Sequence, residues 1–178
     1  MPSILVVTGS VRPNSVNKKV VPLAVEALEK QGVDVTIADL GELQLPFFDA
    51  PLSPSAPDFE PVHESVKQWT SLVEKADGVL FVTPEYNHTM SPVQMNAIDW
   101  IGREWEGKKV ALVGYGWTSG AGQAHAAARE ALAVVLKAKV GDYQTNLFFG
   151  QQLSPVGEVL DQAAIDEKLT ATVSELLA

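Results

Sequence analysis

The sequence predicts an α/β fold, a three-layer sandwich in which a five-stranded parallel sheet carries helices on both faces. Short apolar runs rich in β-branched residues alternate with helix-like stretches along the whole chain, which is the pattern of such a sheet. With 178 residues, of which 46% are hydrophobic, the chain can bury one core and is too short for two ordinary domains. We therefore expect a single domain over residues 1–178.

The chain opens with a predicted strand, helix and strand, followed by a long loop. Ile4–Val7 is a continuous β-branched run typical of a fully buried strand. Asn17–Lys30 carries apolar residues at helical spacing, and Gly32 ends that helix. Val33–Ala38 alternates apolar and polar residues, as a second strand does. The Pro-rich passage Leu45–Pro61 is too irregular for a helix, and loops of this length commonly gate a site.

The rest of the chain continues the alternation. Further strands are predicted over Gly78–Thr83, over Val110–Gly114 and within Val140–Phe149. Further helices are predicted over Val62–Lys75, Pro92–Arg103, Ala121–Lys137 and Asp161–Leu177.

Composition and charge narrow the function classes. The chain has no cysteine, which rules out disulfides, thiolate catalysis and cysteine-based metal sites, and its three histidines are too scattered to suggest a metal centre. A formal net charge of −9 opposes binding to nucleic acid or to an anionic membrane. No apolar run reaches the roughly 18 residues of a membrane span, and the N-terminus lacks the features of a signal peptide. We expect a cytoplasmic protein with neither nucleic acid nor membrane partners.

The first candidate site is the segment Gly9–Asn17, which follows the first predicted strand. In such sheets, ligands bind beyond the carboxyl ends of the strands. Arg12 and nearby hydroxyl groups lie where the next helix exposes unpaired N–H groups, so the segment suits a phosphate. The alternative is an ordinary turn in which Ser15 or Asn17 caps the helix.

Two more segments follow neighbouring strands. Thr83–Pro92 combines aromatic and amide residues, which suit the edge of a flat, partly polar ring, although such residues also form plain turns. Gly114–Gly122 contains four glycines that let a backbone approach a ligand, and Tyr115 and Trp117 could flank that ligand. A Gly-rich loop alone is a weak signal, but three such segments at adjacent strand ends indicate a ligand site more strongly.

The chain resembles the NADPH-dependent FMN reductase family, which includes quinone, chromate and azo-dye reductases. Gly9–Ser15 matches its phosphate-loop pattern Gly-Ser-x-Arg-x-x-Ser, Pro84–Thr89 matches its flavin-ring loop, and Asn96–Trp100 matches the helix that follows. The resemblance extends from about Ile4 to Arg129. It implies a flavodoxin-like fold with strand order 2-1-3-4-5, and a homodimer or homotetramer.

The resemblance also implies the site residues. The residues that hold the FMN phosphate would be Ser10, Arg12, Ser15, Asn17 and the amide of Val16. Those that line the isoalloxazine would be Pro84, Glu85, Tyr86 and Asn87. Gly116, Ser119 and Gly120 would border the other side of the ring.

This chain departs from the family pattern at several positions. It has Met95 where a Lys is usual, Gly120-Ala121 where Gly-Gly is usual, and Gln123 where an Arg is common. Ser91-Pro92 also replaces a usual Pro-Gly. Losing two cationic side chains leaves the choice between NADPH and NADH open.

The leading hypothesis is an enzyme that binds FMN noncovalently and passes electrons from NAD(P)H to a small acceptor such as a quinone, free flavin, azo compound or chromate. The flavin carries the hydride chemistry, so we name no catalytic acid or base. Tyr86, Trp117 and His88 are candidates to shape the reacting face, and the loop over residues 49–61 is a candidate gate. The alternatives are a flavodoxin-type electron carrier and a non-enzymatic nucleotide-binding regulator.

Overall fold

A computed structural model describes all residues from 1 to 178. Its strands form one sheet, and they are β1 (Ser3–Val7), β2 (Asp34–Ala38), β3 (Gly78–Pro84), β4 (Lys109–Gly116), β5 (Lys139–Val140) and β6 (Thr145–Phe148). The strand order is β2-β1-β3-β4-β5, β6 also pairs with β4, and every pairing between these strands is parallel. The predicted α/β sandwich with order 2-1-3-4-5 is confirmed, although its fifth strand is divided.

Helices cover both faces of this sheet. They are α1 (Asn17–Glu29), α2 (Leu40–Leu43), α3 (Glu64–Lys75), α4 (Pro92–Asp99), α5 (Gly122–Arg129) and α6 (Gln162–Leu177). Helices α1 and α6 pack on one face, and α2, α3, α4 and α5 pack on the other. None of these helices combines the length and the apolar character that a membrane crossing requires.

The central strand β3 is buried along its whole length, which explains its unbroken apolar sequence. Leu80 and Val82 point into the core beside α1 and α6, whereas Val79 and Phe81 point into the other core. Side chains of a strand alternate between the faces of the sheet, so β3 supplies both cores at once. Its carboxyl end, at Pro84, extends beyond the pairing with β1 and pairs with Tyr115 of β4.

The fifth strand is split because residues 141–144 leave the sheet between β5 and β6. The amides of Asp142 and Tyr143 donate to the carboxylate of Glu175 on α6, at 2.9 and 2.7 Å. These bonds replace those that a continuous strand would make to β4. The strand predicted within Val140–Phe149 is confirmed as β6, whereas the short strand β5 before it was not predicted.

Helix boundaries also differ from the prediction. The helix predicted to run to Arg103 ends at Asp99, and a short 3₁₀ turn follows over Arg103–Trp105. The helix predicted over Ala121–Lys137 is α-helical only to Arg129 and continues as a π-helical turn over Glu130–Val135. The short helix α2 was not predicted.

The Pro-rich passage over residues 45–61 is bound to α4. The carbonyl of Pro46 accepts hydrogen bonds from Asn96 Nδ2 at 2.8 Å and from Trp100 Nε1 at 2.7 Å. The Phe48 amide donates to Asn96 Oδ1 at 2.9 Å, and the Phe48 ring meets the Trp100 ring edge-on at 4.9 Å. These contacts hold the start of the passage on α4, and the hypothesis that residues 49–61 gate the ligand site stays a prediction.

Candidate active site

A cleft of about 920 Å³ lies beyond the carboxyl ends of β1, β3 and β4. This volume is at the upper end of the range of about 300–1,000 Å³ for small-molecule sites. Eight of the predicted site residues line the cleft, namely Arg12, Ser15, Val16, Pro84, Glu85, Tyr86, Asn87 and Gly116. The four other predicted residues, Ser10, Asn17, Ser119 and Gly120, do not line it, and they contact the lining residues or the strands beneath them.

Asn17 fixes the shape of the loop after β1. Its Oδ1 accepts from the Gly9 amide at 3.0 Å, and its Nδ2 donates to the Val82 carbonyl at 2.9 Å. The loop runs so close to β3 that a Cβ on Gly9 would lie 2.3 Å from the Val82 carbonyl oxygen. Asn17 is buried, so its side chain holds the loop on the sheet and leaves the backbone groups to face the cleft.

The start of α1 presents donors to the cleft. The Val16 amide has no acceptor within the protein, and the Ser15 hydroxyl accepts from the Asn17 amide at 3.1 Å. Neither Ser15 nor Asn17 is the N-cap residue, which is Val16. Arg12 lines the cleft and forms no salt bridge. A free amide, a helix dipole and a guanidinium together favour an anion at this end.

The loop after β3 makes a tight turn at its tip. The Tyr86 and Thr89 backbones exchange hydrogen bonds of 3.1 and 3.0 Å, and Asn87 and His88 both adopt left-handed conformations, with φ of 50° and 60°. Asn and His tolerate this region better than most residues do. The Tyr86 hydroxyl reaches Ser10 Oγ at 2.8 Å, which ties this turn to the loop after β1.

Glu85 connects the loops after β3 and β4. Its Oε2 accepts from Ser119 Oγ at 2.5 Å and from the Gln123 amide at 3.0 Å in the first turn of α5. Its Oε1 lies 3.4 Å from His88 Nδ1, and its side chain is only 8% exposed. A carboxylate at a helix N-terminus stabilises that helix. We conclude that Glu85 supports the site and is not placed as a free general base.

The Gly-rich loop after β4 is held by hydrogen bonds from a side chain of β6. Asn146 on β6 donates through Nδ2 to the carbonyls of Ser119 and Gly120, at 3.3 and 3.1 Å. The same amide lies 3.4 Å from Nδ1 of His125, whose Nε2 is buried without a partner. Burial lowers the pKa of His125 to about 4. His125 is therefore neutral at physiological pH, and it packs beside Asn146, which holds the Gly-rich loop.

Several cleft residues were missed by the sequence reasoning. They are Lys18 and Lys19 at the start of α1, together with Phe149, Pro155 and Val156 beyond β6. The two lysines directly follow the candidate segment Gly9–Asn17, and the other three residues follow a strand that pairs with β4 and therefore reach the same edge of the sheet. Tyr115, which was named as a possible flank of the ligand, is buried, and burial raises the pKa of its hydroxyl to about 12.

Known proteins resemble this chain in sequence and in fold. Residues 2–148 match the family described as NADPH-dependent FMN reductase. An NAD(P)H-dependent FMN reductase of Nectria sp. is 32% identical over 154 residues, which cover 84% of this chain and 76% of the relative. A 2-hydroxy-1,4-benzoquinone reductase of Burkholderia sp. is 37% identical over 116 residues, which cover 62% of this chain and 58% of that relative.

Solved structures show the same fold. The flavoenzyme FerB of Paracoccus denitrificans, an NAD(P)H:(acceptor) oxidoreductase, aligns with a TM-score of 0.78 at 24% sequence identity. The alignment covers 99% of this chain and 98% of that one. This likeness establishes the fold of nearly the whole chain.

The strand order and a cleft at the carboxyl ends of β1, β3 and β4 define a flavodoxin-like ligand-binding protein. The chain belongs to the NADPH-dependent FMN reductase family. It is therefore an FMN-dependent NAD(P)H oxidoreductase, which confirms the predicted enzyme class and cofactor. Membership of this enzyme family argues against the alternatives of an electron carrier and a non-enzymatic regulator.

Proposed function

We propose that the cleft binds FMN noncovalently, with the FMN phosphate at the start of α1. The observation that carries this proposal is that the free Val16 amide and the unpaired Arg12 side chain belong to residues that line the same cleft. The Ser15 hydroxyl, which also lines the cleft, supplies a third donor. Ser10 and Asn17 keep this loop in shape through their bonds to Tyr86, Gly9 and Val82.

The isoalloxazine ring would lie between the loops after β3 and β4. Pro84, Tyr86 and Asn87 offer apolar surface and an amide from one loop, and Gly116 lets the ring approach the backbone of the other. A Cβ on Gly116 would come within 3.4 Å of the Ala121 amide nitrogen and of Glu85 Cβ, which shows how closely the two loops approach. Ser119, Gly120 and Glu85 hold those loops together.

The proposed reaction moves two electrons from NADPH or NADH to a small acceptor, for which a quinone is the leading candidate. Bound FMN supplies the hydride chemistry, and the protein orients both reactants and excludes water. Arg12, Lys18 and Lys19 place positive charge in the cleft of a chain whose formal net charge is −9. They attract the anionic cofactor and donor against the overall repulsion of the protein.

We further infer a single-domain homodimer or homotetramer in the cytoplasm. Exposed apolar side chains support self-association, since Phe47 is 84% exposed and Val134 and Val135 are 65% and 66% exposed. Light scattering after size-exclusion chromatography measures the oligomeric state, and a monomer at micromolar concentration would contradict this inference. Cell fractionation tests the location.

A matched pair of variants tests the cofactor site. We expect Arg12→Gln to weaken FMN binding roughly tenfold, because it removes a charged hydrogen-bond donor from the phosphate end. Lys30→Gln is the control, since it removes one positive charge from the other end of the α1 segment, where Lys30 pairs with Glu26 at 2.9 Å. FMN affinity is read from the quenching of flavin fluorescence.

The unmodified protein is then mixed anaerobically with NADPH or NADH after desalting. Rapid loss of the flavin absorbance supports the reductase. A colourless protein, or equal FMN affinities for the two variants, would contradict the placement of the phosphate.

A further inference from the structure

One wall of the cleft is aromatic and apolar and lies partly outside the segment that matches the family. We call it the aromatic wall, formed by Trp117, Phe149, Pro155 and Val156. The family match ends at residue 148, so three of these four residues lie outside the matched segment. The wall joins Trp117, inside that segment, to residues beyond it.

The aromatic rings of the wall form a row that begins at the buried Tyr115 and ends at the exposed Trp117. The Tyr115 and Phe149 rings meet edge-on with centroids 5.9 Å apart, and the Phe149 and Trp117 rings are tilted at 5.3 Å. Tyr115 is buried, Phe149 is half-buried, and Trp117 is 64% exposed. The Phe149 amide donates to the Gly116 carbonyl at 3.1 Å, which fixes the stack beside the Gly-rich loop. An indole held in place but left open to the cleft presents a ready surface to a second ring.

The residues after Phe149 hold the rest of the wall in position. Leu153 is fully buried, and the Gly150 amide donates to its carbonyl at 2.7 Å. Gly157 adopts a φ of +81°, and a Cβ there would lie 3.0 Å from Cγ1 of Val16. The turn that carries Pro155 and Val156 thus rests on the start of α1. The wall spans the cleft from its cationic end to the Gly-rich loop.

We propose that the aromatic wall, through Trp117, is the specificity determinant for the electron acceptor and selects planar, ring-bearing oxidants over small inorganic anions. This inference rests on the proposed function, because it assigns one wall of the same cleft. Trp117 directly follows Gly116, where the isoalloxazine is proposed to lie, so a ring stacked on the indole would also border the flavin. Ring stacking adds to the burial of apolar surface for a quinone and offers nothing comparable to an oxyanion.

The overall reaction balances without a further reactant. NAD(P)H loses a hydride, which carries two electrons and one proton, and becomes NAD(P)⁺. The quinone gains two electrons and two protons and becomes the hydroquinone, with the second proton taken from solvent. The role of Trp117 is to position the acceptor ring.

The test compares two acceptors on FMN-loaded protein at saturating NADPH. One is 2-methyl-1,4-naphthoquinone and the other is ferricyanide, which has no ring. We expect Trp117→Ala to lower kcat/KM for the naphthoquinone about tenfold and to change ferricyanide reduction less than about twofold. Trp117→Phe should restore most of the naphthoquinone rate. Tyr143→Ala is the control, because Tyr143 is 43% exposed and does not line this cleft.

The outcomes separate the two proposals. Equal losses with both acceptors would overturn the inference, since Trp117 would then serve the donor or the flavin. Unchanged rates with both acceptors would also overturn it. Weaker FMN binding by Trp117→Ala, measured by fluorescence, would assign the indole to the cofactor instead. If the unmodified protein reduces neither acceptor, the proposed function itself fails.

Discussion

The hydroxyl of Ser119 lies 2.5 Å from the carboxylate of Glu85, and this contact joins the loops after β3 and β4. The same carboxylate oxygen accepts from the Gln123 amide at 3.0 Å, so one buried charge serves both a loop and a helix N-terminus. The gap between these loops is where the flavin ring is proposed to bind. Its width therefore depends on Glu85.

We predict that Glu85→Gln lowers the free energy of unfolding by about 1–3 kcal/mol, because hydrogen bonds to a charged acceptor are replaced by weaker ones. Urea denaturation monitored by circular dichroism measures the change. Glu64→Gln is the matched control, since Glu64 is 87% exposed and its ion pair with Lys67 contributes at most about 1 kcal/mol. Similar losses for the two variants would contradict the role assigned to Glu85.

Replacing Ala121 by glycine should cost less stability than replacing Ala124, although both methyl groups are fully buried. Ala121 has a φ of +78°, a left-handed conformation that costs an L-residue about 1–2 kcal/mol. Relief of this strain offsets the lost burial of the methyl group and the added freedom of glycine in the unfolded chain. We expect Ala121→Gly to change the free energy of unfolding by less than about 1 kcal/mol, and Ala124→Gly, within α5, to lower it by about 1–2 kcal/mol. Thermal denaturation should therefore show the lower melting temperature for Ala124→Gly.

His125 should make the protein sensitive to acid. Burial lowers its pKa from 6.5 to about 4, so between these values the unfolded chain binds a proton that the folded chain does not. The free energy of unfolding should therefore fall as the pH drops from 6.5 to 4, with at most about 3 kcal/mol from this residue.

The measurement is urea denaturation at several pH values for the unmodified protein and for His125→Gln, which should show a shallower slope in this window. His88→Asn is the control, because His88 is 70% exposed. An NMR titration gives the pKa of His125 directly and does not require the variant to fold. A pKa near 6.5 would refute the prediction.

Gly102 should control how the Pro-rich passage docks. A Cβ at this position would lie 2.6 Å from the Pro54 carbonyl carbon and from the Ser55 amide nitrogen, and both are backbone atoms that must move. We predict that Gly102→Ala makes residues 49–61 cleavable by protease and speeds their amide hydrogen exchange. Gly107→Ala strains the backbone at a φ of +73° but meets no atom within 4 Å, so it should leave that passage docked.

The strands of the sheet could be predicted from the sequence because a strand that is buried on both faces has a continuous run of apolar residues. Every residue of β3 is buried, and its apolar run needs no knowledge of the rest of the chain. The split of the fifth strand depends on Glu175, more than 30 residues later, whose carboxylate captures two amides of the intervening loop. No local pattern carries that information.

The loops of the candidate site could also be predicted from the sequence, whereas the directions of their side chains could not. Motifs placed the loops at the correct strand ends, but they could not show which way a side chain points. Asn17 fits the phosphate-loop pattern, yet both polar atoms of its side chain bond to the protein itself. Phe149 and Val156 enter the cleft only because β6 pairs with β4 and ends at the same edge of the sheet. Such residues become visible only when the topology is known.

The bonds that Asn17 makes have a consequence for how the protein meets its cofactor. They hold the loop after β1 on the sheet through Gly9 and Val82. A loop held by bonds within the protein loses little conformational freedom when it binds a ligand. FMN bound to the folded chain would add to its stability by mass action, about 4 kcal/mol at a thousandfold excess over its Kd.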